Sequence, residues 1–155
     1  MGGIPSYPVL ADGASPVCQF EADADALIRE LQARNVHAVE WIPVRNKASV
    51  LAGYVPKMRA AGLAVTAGTE HNTLDLIPLD PTAKDGDVPA EVRAIFWEGA
   101  CVVAAHQFLT LHGECGYVDD AGQPNAAYAN AEERIRAFAR IGAAVIQKYL
   151  TVPRS

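Results

Sequence analysis

The spacing of hydrophobic positions changes several times along the chain, and each change marks an element. From Glu21, Ala24, Leu27, Ile28 and Leu31 recur every three or four residues, while Asp23, Asp25, Arg29 and Glu30 take the other side. That is the period of an amphipathic helix, predicted over 21–34 and ended by Asn35. "VHAVEWI" (36–42) is dense in β-branched and aromatic residues and reads as a strand closed by Pro43. A second helix is expected over 46–61, with Gly62 suited to its end. Pro56 lies inside it and should kink or split it, because proline removes a backbone donor. "LAVTAG" then opens a strand over 63–69.

Before Glu21 only "YPVLA" has strand character, among Gly and Pro residues. A loop rich in Pro and Asp occupies 78–89. The helix predicted over 90–111 carries a stripe of Val92, Ile95, Phe96, Gly99, Val102, Val103 and His106. "HGECGYVDDAGQPN" (112–125) is turn material. The last helix, 130–150, has Ile135, Phe138, Gly142, Val145, Ile146 and Tyr149 on one side. Strands separated by helices of this length pair in parallel through right-handed crossovers, so the fold class is α/β. Two or three such strands with helices on one face leave an exposed edge and an uncovered face. Association with a second copy, as a homo-oligomer, or a missing half is expected from that.

Length and charge narrow the functions. At 155 residues, half of them hydrophobic, residues 1–155 form a single domain able to bury a core. The net charge of −5 and 13 unclustered basic residues argue against nucleic acid and anionic membrane surfaces. No apolar run approaches the roughly 18 residues of a membrane span, and "MGGIPSYPVL" lacks the pattern of a signal peptide. Cys18, Cys101 and Cys115 are widely spread without a C-x-x-C pair, which suits reduced thiols and a cytoplasmic location.

The candidate chemistry gathers where strands end. Side chains alternate along a strand, so Glu40 shares a face with Val36, Ala38 and Ile42, and Glu70 with Ala64, Thr66 and Gly68 if the strand reaches it. Parallel sheets place their sites at the carboxyl ends of strands. Glu40 and Glu70 are therefore candidate metal ligands or acid–base groups. His71 and Asn72 join that site if a turn begins at Thr69, or else cap backbone groups. Arg45 suits a phosphate or carboxylate, or pairs with a surface acid. His106, on an apolar stripe, should be buried on the inner face of its helix; His112 reads as a solvated loop histidine. His37 should face the helix layer behind its strand, and Trp41 and Trp97 read as packing residues. No H-x-H, H-E-x-x-H, G-x-S-x-G or glycine-rich phosphate loop occurs.

The blocks "NVHAVEWIPVRN", "TAGTEHNT" and "EGACVVAAHQFLTLHGECGYVD" resemble the C-terminal half of proteins of the polymerase and histidinol phosphatase (PHP) superfamily, over about residues 20–150. The resemblance implies a distorted TIM-like barrel of seven βα units with divalent metals (Mn, Fe or Zn) at its strand ends. It implies hydrolysis of phosphate esters on a small-molecule substrate. "GTEH" would supply Glu70 and His71 as metal ligands, with Glu40 and Arg45 as the catalytic groups. His71 directly follows the acid here instead of standing two residues on. The family's N-terminal H-x-H strand is absent, so the resemblance covers only part of such a barrel, which typically needs ~200 residues or more. The alternative is a non-catalytic remnant, a binding or oligomerisation module without those first metal ligands.

Overall fold

A computed structural model describes residues 3–12, 15–69, 74 and 78–151. Strands β1 (Ser6–Val9), β2 (Ala38–Trp41) and β3 (Ala64–Ala67) form one parallel sheet in the order β1-β2-β3. Ser6, Ala38 and Ala64 stand level across it. Helix α1 (Ala24–Ala33) links the first pair of strands and α2 (Ala48–Ala60) the second. Two long helices follow, α3 (Ala90–Leu111) and α4 (Ala131–Thr151). The chain is thus mixed α/β, with the strands and the four helices where the hydrophobic periods placed them.

Local chemistry sets where each helix stops. Asp23 caps α1, its Oδ1 accepting the Ala26 N–H at 2.7 Å. Asn35 (φ 57°) and Gly62 (φ 88°) follow α1 and α2 in the left-handed region. There Val36 N–H bonds Leu31 O at 2.9 Å, and Leu63 N–H bonds Met58 O at 3.1 Å. This paired closure satisfies the last carbonyls and aims the chain into β2 and β3. Pro56 does not split α2, which runs unbroken through it. Leu51, Val55 and Met58 are fully buried on either side, and that packing outweighs one missing donor.

The alternation of the strands divides the interior in two. Val9, Val39, Trp41 and Val65 point to one side and pack on Leu27, Ile28 and Leu31 of α1 and Leu51, Val55 and Met58 of α2. Both crossover helices therefore lie on one face of the sheet. Ala38 and Ala64 point the other way, into a second core with Val102, Ala105, Ile135 and Phe138.

Helix α3 belongs to both cores, through Val92 and Phe96 at one end and Val102 and Ala105 at the other. It passes from one to the other at Gly99. Ala64 N–H and Gly68 N–H bond back to His37 O (3.0 Å) and Trp41 O (2.7 Å) of the β2 side. Val65 consequently turns its own backbone groups outward, and Gly99 lies on them: a Cβ there would stand well under 3.0 Å from Val65 O. The sequence pattern leaves the β3 edge open, and the structure covers it with α3. Only the outer edge of β1 and part of the second face lack a covering element among the described residues. Gly142 seats α4 on the Cys101 carbonyl of α3 in the same way. Arg59 of α2 ties the group together, bonding Glu98 Oε1 of α3 at 3.0 Å and Glu132 Oε1 of α4 at 3.3 Å.

Two expectations need correction. By length and composition α3 is apolar enough to cross a membrane, although no unbroken apolar run was evident. Its apolar residues serve two cores at once, and a helix buried on more than one side is apolar nearly all round. Trp41 is fully buried as expected, but Trp97 is 55% exposed on the outer side of α3. All three cysteines are free thiols.

The glycine contacts make opposite forecasts for similar substitutions. Gly142→Ala should cost about 1–3 kcal/mol of unfolding free energy, because its neighbour is backbone that cannot yield. Gly53→Ala, in α2 with nothing within 4 Å, should stabilise by about 0.5–1 kcal/mol. Urea denaturation of the two variants beside the parent checks both signs.

Candidate functional site

The small side chains of the second sheet face leave room that α3 does not fill. A cleft of about 500 Å³ opens there, lined by Ser6, Glu40 and Thr66 from the strands and by His106 and Gln107 from α3. Glu40 projects beside Ala38, as the alternation requires. Its carboxylate sits over Gly68 at the tip of β3; a Cβ on Gly68 would overlap Glu40 Oε1. Thr66 turns its hydroxyl onto Val39 O at 3.2 Å. A carboxylate, an imidazole and an amide thus line one partly enclosed space close to the carboxyl ends of two strands.

His106 is 2% exposed, on the inner face of α3 as the stripe required. Its Nδ1 accepts the Tyr117 N–H at 2.9 Å, so in the neutral ring the proton is on Nε2. Gly116 makes this possible, since a Cβ there would collide with Nδ1. On its other side His106 borders a second cleft of about 500 Å³, with Glu114, Cys115, Asp119 and Asp120 on its walls. The turn "GECGYVDD" therefore fixes the orientation of the histidine, a role its polar composition concealed.

The loops beyond the strands are held by a polar network that the sequence did not announce. Asn46 is fully buried. Its Nδ2 donates to Ile42 O at 2.9 Å, its Oδ1 accepts the Asp12 N–H at 3.3 Å, and its carbonyl accepts the Lys84 N–H at 2.9 Å. One residue so joins the loops after β1 and β2, through its side chain, to the segment before α3, through its carbonyl. Glu21, 3% exposed, accepts the Tyr7 hydroxyl at 3.0 Å, and Tyr54 donates to the Glu21 carbonyl at 3.0 Å. An Asn in a βα loop and a Glu before a helix are too common to signal this.

Of the residues singled out by sequence, Glu40 lies in the cleft. Arg45 is exposed on the single turn of 3-10 helix Pro43–Arg45 that follows β2, and it does not line the cleft. Glu70, His71 and Asn72 lie outside the described residues. β3 ends at Ala67, so strand alternation does not extend to Glu70. His112 is a helix-end histidine, its Nδ1 bonded to Phe108 O at 2.7 Å. His37 bonds Asn35 Oδ1 at 2.7 Å at the opposite end of β2. Among the described residues no group of three His, Cys, Asp or Glu comes together to hold a metal ion. No family model, no curated protein and no solved structure matches the chain.

The Tyr7–Glu21 contact has a consequence at alkaline pH. Burial, and then the neighbouring Glu21, push the Tyr7 phenol up to about 12 from its ordinary 10.0. The unfolded chain therefore loses this proton first, so the contribution is intact below pH about 10 and fades as pH rises towards 12. Burial raises Tyr54 and Tyr117 as well. Stability measured from pH 9 to 12 should fall, and less steeply in Tyr7→Phe; equal slopes would show that Tyr7 does not contribute.

Proposed function

We propose that the Glu40 cleft is the substrate site of a hydrolase of small phosphate esters, of the metal-dependent PHP kind that the sequence blocks resemble. The observation that carries this is the placing of Glu40. Its carboxylate rests on Gly68, the residue from which the chain leads through Thr69 into Glu70 and His71. The sheet supports the reading too. Three strands in sequential order, with both crossover helices on one face, occur in consecutive units of a βα barrel as in open sheets, and Glu40 is on the face opposite those helices, which α3 and α4 partly cover here.

A divalent ion (Mn, Fe or Zn) would be held by Glu40 with Glu70 and His71. The described residues alone lack a three-donor set, so the last two are required for it. When bound, the ion supplies an activated hydroxide and charge for the phosphoryl oxygens. Arg45, on the turn after β2, lies outside the cleft, so this reading gives it no contact with substrate there. His106 would stay oriented by Tyr117 N–H at Nδ1. The free thiols fit a reducing, cytoplasmic setting.

A second reading is carried by the cleft itself, a walled space with a carboxylate and an amide that could bind a small molecule without turning it over. Elemental analysis for Mn, Fe and Zn, together with p-nitrophenyl phosphate hydrolysis, separates the two. The hydrolase reading expects bound metal, and a loss of about 100-fold or more in activity for Glu40→Gln and Glu70→Gln with helix content unchanged. Gly68→Ala should displace the Glu40 carboxylate, a flexible side-chain end, and lower activity at little cost in stability. Metal-free protein without activity, unchanged by Glu40→Gln, would leave the binding module.

A further inference from the structure

At the amino ends of the strands a third, separate pocket of about 340 Å³ opens between α1, the start of β3 and the start of α4. Gln32, His37, Tyr128, Asn130 and Arg134 face it, and none of its lining residues is acidic. Arg134 is 5% exposed. Its guanidinium stacks on the Tyr117 ring, 4.4 Å from the centroid, and its Nε is buried without an acceptor. Among the described residues no carboxylate pairs with it. A buried cation of this kind is costly unless something neutralises it.

The surroundings add positive potential instead of removing it. Ala131, in the first turn of the 21-residue α4, lines the same pocket, so the positive end of the helix dipole opens on it. Of the two first-turn carboxylates only Glu132 is drawn away from the pocket; Glu133 caps the same helix end at Ala129, which lines it, so Arg134 is the main positive group there. Glu132 bonds Arg59, and Glu133 turns back to accept the Ala129 N–H at 3.0 Å. Asn130 caps the helix through Oδ1, which accepts the Glu133 N–H at 2.9 Å, and its amide nitrogen remains as a donor. Burial first, and Arg134 second, hold the His37 imidazole below its ordinary value, so the pocket wall also resists a further positive charge.

We propose that this pocket is an oxyanion site, in which Arg134 and the first turn of α4 take the phosphate or carboxylate group of a small molecule. It lies at the opposite end of the sheet from Glu40 and does not depend on the hydrolase reading.

The test uses the full chain and inorganic phosphate, with acetate as the carboxylate arm, against chloride at equal ionic strength. Calorimetry reads binding, and the His37 and His106 imidazole resonances locate it. The site expects saturable binding that moves the His37 resonance and weakens at least tenfold in Arg134→Met, which keeps the stem on Tyr117 but removes the charge. Gln32→Glu, on the exposed rim, should weaken it in the same direction by placing a competing carboxylate there; this variant decides the matter if Arg134→Met fails to fold. A response to phosphate alone identifies a phosphate group, to acetate alone a carboxylate, and to both an oxyanion in general. Absence of binding, binding unaltered in both variants, or phosphate that moves only His106 and so occupies the Glu40 cleft, overturns the proposal.

Discussion

The rest of the structure depends on the close approach of α3 to the outer edge of the sheet. A parallel strand at an edge turns every second residue's N–H and C=O away from its partner. At Val65 those groups meet the bare Cα of Gly99, so the helix lies nearer to the strand than any side chain would allow. From that contact α3 continues across the sheet, with Phe96 in one core and Val102 in the other. The same device recurs one layer out, where Gly142 lays α4 on Cys101. A small sheet of four-residue strands is thereby braced by two long helices through backbone contact, which is dense and tolerates little change.

This bracing determines what space is left. α1 and α2 cover one face with Leu27, Ile28, Leu31, Leu51, Val55 and Met58. On the other face Ala38, Ala64 and Gly68 are too small to reach α3 everywhere, and the Glu40 cleft is the remainder. His106 reaches the cleft because α3 is fixed at Gly99 two turns earlier. It keeps one orientation because Tyr117 N–H holds Nδ1. The two ends of the sheet have opposite electrical character. Glu40 occupies the carboxyl side, and Arg134 with the α4 dipole the amino side.

Much of this was legible from periodicity. The helices came from the three- and four-residue spacing of their apolar positions, and their ends from Asn35 and Gly62, whose left-handed backbone few other residues accept. Strand alternation put Glu40 on the face of Ala38 and away from Val39. The burial of His106 followed from its place on the α3 stripe. Each of these is a local property, decided within a few residues of the side chain concerned.

What local pattern did not determine depended on contacts between distant segments. That α3 would close the β3 edge follows from Gly99 meeting Val65, residues 34 positions apart in the sequence, and a glycine on a helical stripe does not say what it touches. Asn46 and Glu21 look like ordinary loop residues until folding buries them and hands them partners from distant segments, backbone groups for Asn46 and the Tyr7 hydroxyl for Glu21. Arg134 reads as one more charge on an amphipathic helix; the Tyr117 ring beneath it and an Nε buried without an acceptor make it unusual. The sequence by itself determined the elements and the facing of their side chains, because those are set by backbone geometry and local hydrophobic period. The tertiary structure decided which polar groups lost their water and which found partners, because desolvation is a property of the whole packed interior.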